Sequence, residues 1–222
     1  FQDEHGKLVH MSMLNVLNEI VHTYGSGEAI HDADARYLII LAFEDAVEPK
    51  VLEEKVRTNL NQVGKAMSTY FNVKVTFAVS SLQPNSLNMR EQYKQCMDIL
   101  KFGHLFEPGT ILNKGKDFSP RSNQQLMQSF RQLQQSCELL GESFRKKLDD
   151  VYDSLTGLYP PSRERCQQLF IQLLYFKLTI MHLTVDKWSN VVINLSMKIE
   201  NSRTVFEMIA VLQAFINHLK DD

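Results

Sequence analysis

The sequence predicts an α+β chain of two differently built parts, an α/β part over residues 1–115 followed by an all-helical part over residues 116–222. Two observations predict this division. Before residue 115, runs of β-branched and aromatic residues alternate with apolar residues at helical spacing. After it, apolar residues recur at helical spacing and no run predicts a strand. A length of 222 residues suits one large domain or two small ones.

The first part opens with a predicted helix over residues 8–24, which the Gly-Ser-Gly sequence at 25–27 ends. Residues 28–31 predict a short strand, and residues 32–35 predict a turn. Residues 36–43 predict a second strand. Because the apolar run of that second strand is continuous rather than alternating, we expect it to be buried on both faces in the middle of a sheet.

Two more helices and two more strands complete the first part. They are a helix over 49–71, a strand over 73–79, a helix over 89–100 and a strand over 110–112. Pro49 suits the first turn of its helix because its φ is fixed at a helical value. Ser86 or Asn88 is a candidate cap for the next helix. We expect the strand over 73–79 to neighbour the strand over 36–43 in the core.

The second part predicts helices only, over residues 123–133, 137–155, 163–183, 188–199 and 204–219. Ser162 is the predicted N-cap of the third of these helices. Val191, Val192 and Ile193 have β propensity, but their helical neighbours are expected to override it.

The composition excludes several classes of protein. Hydrophobic residues make up 44% of the chain and charged residues 23%, and 24 basic against 26 acidic residues leave a net charge of −2. These values exclude a disordered tail, a collagen-like fibre and a strongly basic nucleic-acid binder. No apolar run reaches the ~18 residues of a membrane span, and the polar start is unlike a signal peptide. We therefore expect a cytoplasmic location.

Three cysteines, Cys96, Cys137 and Cys166, lie far apart in predicted helices. We expect buried thiols in a reducing compartment rather than a disulfide framework. The chain starts without Met and ends directly after an apolar helix pattern, which predicts a fragment of a longer protein.

No metal site is predicted. The histidines are His5, His10, His22, His31, His104, His182 and His218. None of them pairs at the i, i+4 spacing of a helical zinc site, and no cysteine stands within ligand spacing of another. His182 lies in an apolar helix, where a hydrogen-bonded core residue is the favoured interpretation.

Phosphate-binding and nucleophile motifs are also missing from the sequence. The Gly-Ser-Gly sequence at 25–27 precedes a strand, so its amides do not converge on a phosphate at a helix N-terminus. No Gly-x-Ser-x-Gly elbow occurs. Glu44, Asp45 and Glu48 follow a predicted central strand, where α/β proteins place ligands. A solvated loop is the favoured interpretation, and a metal-bound nucleotide is the alternative. The sequence predicts no catalytic residue and no metal ligand, and it leaves cofactor-binding residues unknown.

Two clusters in the second part have two interpretations each. Phe170, Tyr175, Phe176 and Met181 either line a ligand pocket or belong to a central bundle helix that is apolar nearly all round, which is favoured. The basic triplet at 145–147 either contacts phosphate or forms a helix surface, which is again favoured.

One pair of segments resembles a known family. The strand end Val79-Ser80-Ser81-Leu82, followed by Leu-Asn-Met-Arg-Glu-Gln-Tyr-Lys-Gln-Cys-Met-Asp-Ile-Leu at 87–100, is similar to a segment of AraC-type bacterial transcription regulators of the YesN/YesS kind. The sequence Phe-Glu-Pro-Gly-Thr-Ile-Leu at 106–112 resembles the last strand of the same domain. The order of elements in residues 1–115 looks like a degenerate nucleotide-cyclase domain of the GGDEF type, an α/β sandwich. The helical part resembles the linker bundle that precedes the DNA-binding domain.

The sequence departs from this family at three places. The turn Asp32-Ala33-Asp34-Ala35-Arg36 replaces the Gly-Gly-Asp/Glu-Glu-Phe hairpin of a working cyclase, so the resemblance implies no cyclase activity. The first strand of the family would precede residue 8, where only polar residues stand. The two helix-turn-helix motifs of the family would follow Asp222, so the resemblance implies DNA contact only through a domain absent from this chain.

The sequence is therefore interpreted as the regulatory, non-DNA-binding part of a bacterial AraC-type regulator, with no enzymatic activity and no cofactor. The resemblance implies a homodimer through the helical half and an upstream receiver or membrane sensor, in which case the chain is the cytoplasmic part of a membrane-anchored regulator. The effector is left open. The alternatives are a nucleotide-binding or cyclase-like enzyme domain and a helical scaffold for protein partners.

Overall fold

A computed structural model describes residues 2–24, 26–33, 36–43, 48–83, 88–113, 123–137, 140–157, 160–180 and 185–221. The described chain is mostly helical, with short strands in its first half, so the predicted α+β class is confirmed. Its helices and strands, in chain order, are α1 (Gln2–Tyr24), β1 (Ser26–Ala33), β2 (Arg36–Ala42), α2 (Pro49–Phe71), β3 (Phe77–Val79), α3 (Met89–Leu100), β4 (Ile111–Asn113), α4 (Gln124–Ser136), α5 (Glu142–Thr156), α6 (Arg163–Ile180), α7 (Val185–Asn201) and α8 (Val205–Asp221).

The chain forms two compact units. The first unit comprises Phe1–Phe77, Ser81–Arg90 and Gly109–Ile111, and the second comprises Ala78–Ser80, Glu91–Pro108 and Leu112–Asp222. The predicted domain boundary after residue 115 lies outside the described residues and stays a prediction.

Helix α1 is longer than the sequence predicts, because the polar residues 2–7 are helical as well. No strand therefore precedes residue 8 in the described chain. The helix ends at Tyr24, directly before the Gly-Ser-Gly sequence, as predicted. Leu17 and Val21 are its buried residues, and they lie on the side of α1 that packs against β1 and α2.

Strands β1 and β2 form an antiparallel hairpin in which Ala29 lies opposite Ile39. Strand β2 pairs with β1 alone among the described strands, and its residues from Tyr37 to Leu41 are half-buried. The expectation of a mid-sheet strand buried on both faces is therefore wrong. Helix α1 covers one face of the hairpin, and a continuous apolar run fits a half-covered hairpin as well as a sheet centre.

Helix α2 begins at Pro49 and ends at Phe71, as predicted. It stops because Asn72 adopts the left-handed conformation, with φ of 54°, and its N–H bonds back to the last turn. Leu60, Val63 and Met67 form its buried face.

Strand β3 is shorter than the predicted strand over 73–79, since only its last three residues are extended in a ladder. It pairs with β4 in a second two-stranded sheet, so the predicted neighbourhood with β2 is wrong. Val73 is 39% exposed, which shows that the first residues after the Asn72 cap are not core residues.

The second unit contains the predicted helices α4 to α8. Its core includes four fully buried phenylalanines, Phe130, Phe144, Phe170 and Phe215. Helix α6 packs against α5, α7 and α8, which confirms the prediction of a central bundle helix. The predicted cap is also confirmed: the Arg165 N–H donates to Ser162 Oγ at 3.4 Å. No helix in the described ranges is both long and apolar enough to span a membrane.

Candidate functional site

The predicted acidic cluster is only partly described. Glu44 and Asp45 lie outside the described residues, as do Met181 and His182. Glu48 is exposed and directly precedes α2 without a side-chain hydrogen bond to the helix end. A ligand role of this cluster therefore stays a prediction.

The three cysteines are free thiols, and Cys137 and Cys166 are buried, as predicted, whereas the prediction that Cys96 is buried is wrong because it is half-buried. Burial raises the pKa of Cys166 to about 12 and also raises the pKa of Cys96. The Cys96 thiol, which is half-buried, donates to the Ala78 carbonyl at 3.4 Å. Because the thiolate is the reactive form, neither Cys96 nor Cys166 is arranged as a nucleophile.

The aromatic and basic clusters of the second unit follow their favoured interpretations. Phe170 is fully buried, Phe176 is half-buried and Tyr175 is 49% exposed, so these residues belong to the bundle core and its edge. The basic triplet at 145–147 is exposed on α5. Lys147 Nζ lies 5.8 Å from the centroid of the Phe176 ring, which is a cation–π contact.

Three rings that no sequence motif connects meet at the turn end of the hairpin. His10 Nδ1 on α1 lies 2.6 Å from the Tyr37 hydroxyl on β2. The ring of His31 on β1 lies 5.0 Å from the His10 ring and 5.4 Å from the Tyr37 ring, measured between centroids. The Tyr37 hydroxyl also lies 3.5 Å from Met13 Sδ. This cluster ties the hairpin end to α1.

The hairpin-end cluster, formed by His10, His31, Tyr37 and Met13, is not a metal centre by composition. No group of three His, Cys, Asp or Glu side chains suited to a metal ion occurs in the part of the chain that the structure describes. Burial raises the pKa of Tyr37, so the phenol is neutral and keeps its proton for hydrogen bonding. The cluster therefore orients the hairpin.

At the edge of β1 that faces away from β2, the amide side chain of Asn18 bonds to the backbone of Ala29. Asn18 on α1 donates from Nδ2 to the Ala29 carbonyl at 3.1 Å, and the Ala29 N–H donates to Asn18 Oδ1 at 2.7 Å. Ala29 is 2% exposed, so both of its backbone groups are satisfied away from water. Asn18 thus substitutes for a neighbouring strand at this position.

A second polar site lies in the second unit at His104, in the short 3₁₀ turn Gly103–Leu105. His104 is 8% exposed, with Nδ1 3.1 Å from the Lys101 carbonyl and Nε2 3.1 Å from the Pro161 carbonyl. The same turn is joined to α4, because Asn123 Nδ2 donates to the Leu105 carbonyl at 2.9 Å. His104 and Asn123 together connect the 3₁₀ turn to the starts of α6 and α4.

The protonation state of His104 determines how many of these bonds form. Burial lowers the pKa of His104, and the positive charge of Arg163 lowers it further. The carbonyls of Pro161 and Lys101 and the negative charge of Glu164 raise it and offset part of this effect. Both ring nitrogens face acceptors, whereas a neutral imidazole has one N–H. One carbonyl therefore faces a nitrogen lone pair at neutral pH.

A groove of about 420 Å³ lies between α7 and α8 and is open to solvent. The groove is lined by Asn190, Val191, Asn194, Leu195 and Lys198 of α7 and by Ala214, Phe215 and His218 of α8. Its surface is mostly apolar. The spacing of residues within one helix does not indicate such a groove, because it forms only where two helices meet.

Comparison of the chain with protein-family models, with curated proteins and with solved structures finds no match. The likeness to AraC-type regulators therefore rests on the sequence segments quoted above.

Proposed function

We propose that this chain is the regulatory, non-DNA-binding part of a bacterial AraC-type transcription regulator, which relays a signal to a DNA-binding domain following residue 222. The observation that carries the proposal is the order of elements: a helix, an antiparallel hairpin, a helix, a strand, a helix and a strand are followed by a run of helices. From the first helix onward, this is the order that the sequence resemblance implies. In this proposal the first half is a reduced, catalytically inactive cyclase-like module.

The end of the hairpin supports a module without cyclase activity. Arg36 Nε lies 3.4 Å from a carboxylate oxygen of Asp32, so an ion pair spans the turn. The rings of His31 and Tyr37 stand beside it. A nucleotide phosphate or ribose that packs on a glycine hairpin needs close backbone approach, and the turn sequence of this chain has residues with side chains where that hairpin has glycines.

The second unit supports a relay. A signal shifts the balance between conformations only if it changes contacts that differ between them. The His104 and Asn123 bonds join the 3₁₀ turn to two different helices of the bundle, so a shift of that turn changes the contacts of α4 and α6 together. We assign the relay to these contacts.

The first experiment is incubation with guanosine triphosphate and magnesium or manganese, followed by chromatographic detection of cyclic di-guanylate, with a working diguanylate cyclase as the control. No product is expected. Turnover that disappears in an Asp34→Ala variant would contradict the inactive module; Asp34 itself lies outside the described residues. The second experiment is a gel shift with duplex DNA. A net charge of −2 offers little counterion release, so no specific, salt-sensitive shift is expected.

The coding sequence that follows Asp222 tests the proposal most directly. Two helix-turn-helix motifs are expected there, and a different domain at that position would overturn the assignment. The cytoplasmic location, the upstream receiver or membrane sensor and the homodimer through the helical half belong to the same proposal. Effector binding is tested by a thermal-shift screen of nucleotides and sugars.

A further inference from the structure

We propose that the groove between α7 and α8 binds a small amphipathic carboxylate, an anion that carries a short apolar tail. The groove has a volume of about 420 Å³, which lies in the range of roughly 300–1,000 Å³ in which proteins bind small molecules. This assignment does not rest on the proposed function, because it concerns a ligand of the bundle rather than the domain that follows residue 222.

The floor of the groove is apolar and belongs to the core of the second unit. Phe215 is fully buried, Leu195 is 9% exposed, and Val191 is half-buried against the same core. Core packing holds these side chains in place, so the floor exists before a ligand arrives. Ala214 stands beside them on α8 and is exposed. Its short side chain leaves the space that the tail of a ligand fills.

The ionised group on the rim of the groove is positive. Because only residues 202–204 connect α7 to α8, the two helices run antiparallel, and Lys198 lies at one end of the groove and His218 at the other. The ion pairs among the described residues do not involve Lys198. No Asp or Glu occurs among the residues that line this described groove. A carboxylate can therefore accept hydrogen bonds from the Lys198 ammonium and from the amide of Asn194, one turn away.

The groove is too short for a docked helix. Its α7 wall runs from Asn190 to Lys198, which is about 12 Å at a rise of about 1.5 Å per residue, and its α8 wall runs from Ala214 to His218, which is about 6 Å. An amphipathic helix that docks in a groove uses anchors at i, i+3, i+4 and i+7, which span about 10 Å. A wall of one turn on α8 therefore fits a small molecule better than a helix.

The test is calorimetric titration of the full chain with octanoate, at concentrations below those at which octanoate forms micelles. Saturable binding of one octanoate per chain is expected. Octanol has the same tail without the charge, and acetate has the charge without the tail. Each is expected to bind at least about tenfold more weakly than octanoate, because the site needs both the Lys198 end and the apolar floor.

Two pairs of variants separate the tail site from the charge site. Ala214→Leu fills the groove and is expected to weaken octanoate binding by about tenfold or more, whereas Ala210→Leu, the same change at an exposed position of α8 that does not line the groove, is expected to leave it unchanged. Lys198→Met removes the charge and is expected to weaken octanoate binding to the level of octanol. Lys146→Met, an exposed change on α5, is its control.

Hydrogen exchange on the unmodified chain keeps the proposal testable if a variant does not fold: octanoate is expected to slow exchange in α7 and α8 but not in α5. Three results would overturn the proposal: no saturable binding of octanoate, octanol that binds as tightly as octanoate, or octanoate binding that Ala214→Leu leaves unchanged. A dimer in sedimentation velocity that Ala214→Leu dissociates and octanoate does not would also overturn it, because a second copy then occupies the groove.

Discussion

Replacing His104 by alanine tests whether one buried imidazole joins the 3₁₀ turn to the bundle. His104 is 8% exposed, and its ring nitrogens each lie 3.1 Å from a backbone carbonyl. At neutral pH the variant loses the one hydrogen bond that the neutral ring donates, and it leaves a space where the ring packs. An unsatisfied buried polar group costs about 1–3 kcal/mol and the space adds to this cost, so a loss of about 2–4 kcal/mol is expected in the free energy of unfolding. Urea unfolding followed by circular dichroism measures it.

The same residue predicts a pH dependence with a definite sign. Because burial lowers the pKa of His104 in the folded chain, the unfolded chain takes up a proton at a higher pH than the folded chain does. The stability contribution is complete above the ordinary pKa of about 6.5 and is lost as pH falls through the lowered folded value. His104→Ala should therefore flatten the decline in stability below about pH 6.5. His218→Ala, an exposed change in the same unit, is the control.

Two results would refute this reasoning. If the unmodified chain gains stability as pH falls below about 6.5, the two carbonyls outweigh burial and the pKa of His104 is raised instead. If the curves of the unmodified chain and the His104→Ala variant stay parallel across that range, His104 does not titrate between the folded and unfolded states.

Three further substitutions test the first unit. Asn18→Ala should destabilise the chain by about 1–3 kcal/mol, because it removes two hydrogen bonds from the edge of β1. Asn15→Ala, an exposed change on the same helix, should be near neutral. Equal shifts in melting temperature for the two variants would contradict this prediction. Gly27→Ala places a Cβ under 3.0 Å from the Ile40 carbonyl oxygen and a Val21 methyl group. The hairpin must therefore move, and the melting temperature should fall. An unchanged melting temperature would show that the hairpin packs differently. Phe77→Asp should unfold the unit more completely than Ile39→Asp, since Phe77 is buried and Ile39 is half-buried. A larger loss of circular dichroism signal in Ile39→Asp than in Phe77→Asp would refute the burial of Phe77.

Helices were predictable from the sequence because their signals are local. Helix α2 runs from Pro49 to Phe71, the bounds that its apolar spacing predicts. Val191 to Ile193 lie in α7 despite their β propensity, as expected. Ser162 caps α6, because a serine one residue before an apolar repeat is itself a local signal.

Strand pairing was not predictable to the same degree, because it depends on contacts far apart in sequence. The run over residues 36–43 fits a buried mid-sheet strand and a half-covered hairpin strand equally well. Which of the two forms depends on α1, which covers one face only. The strand predicted over 73–79 shortens to three residues because its ladder partner, β4, is equally short.

The polar contacts were missed for a related reason. His31 and Tyr37 lie opposite each other across the predicted turn, so the hairpin register alone indicates that contact. His10, however, reaches them from α1, and His104 reaches Pro161 across 57 positions in the sequence. No spacing within one element signals such pairs.

One physical rule connects these contacts: buried backbone groups need partners, and this chain supplies many of them from side chains. Asn18 satisfies Ala29 at the edge of β1, Asn123 satisfies Leu105, and His104 faces the Lys101 and Pro161 carbonyls. Removing any one of these three side chains should therefore lower the free energy of unfolding, because it leaves a buried backbone group without its partner.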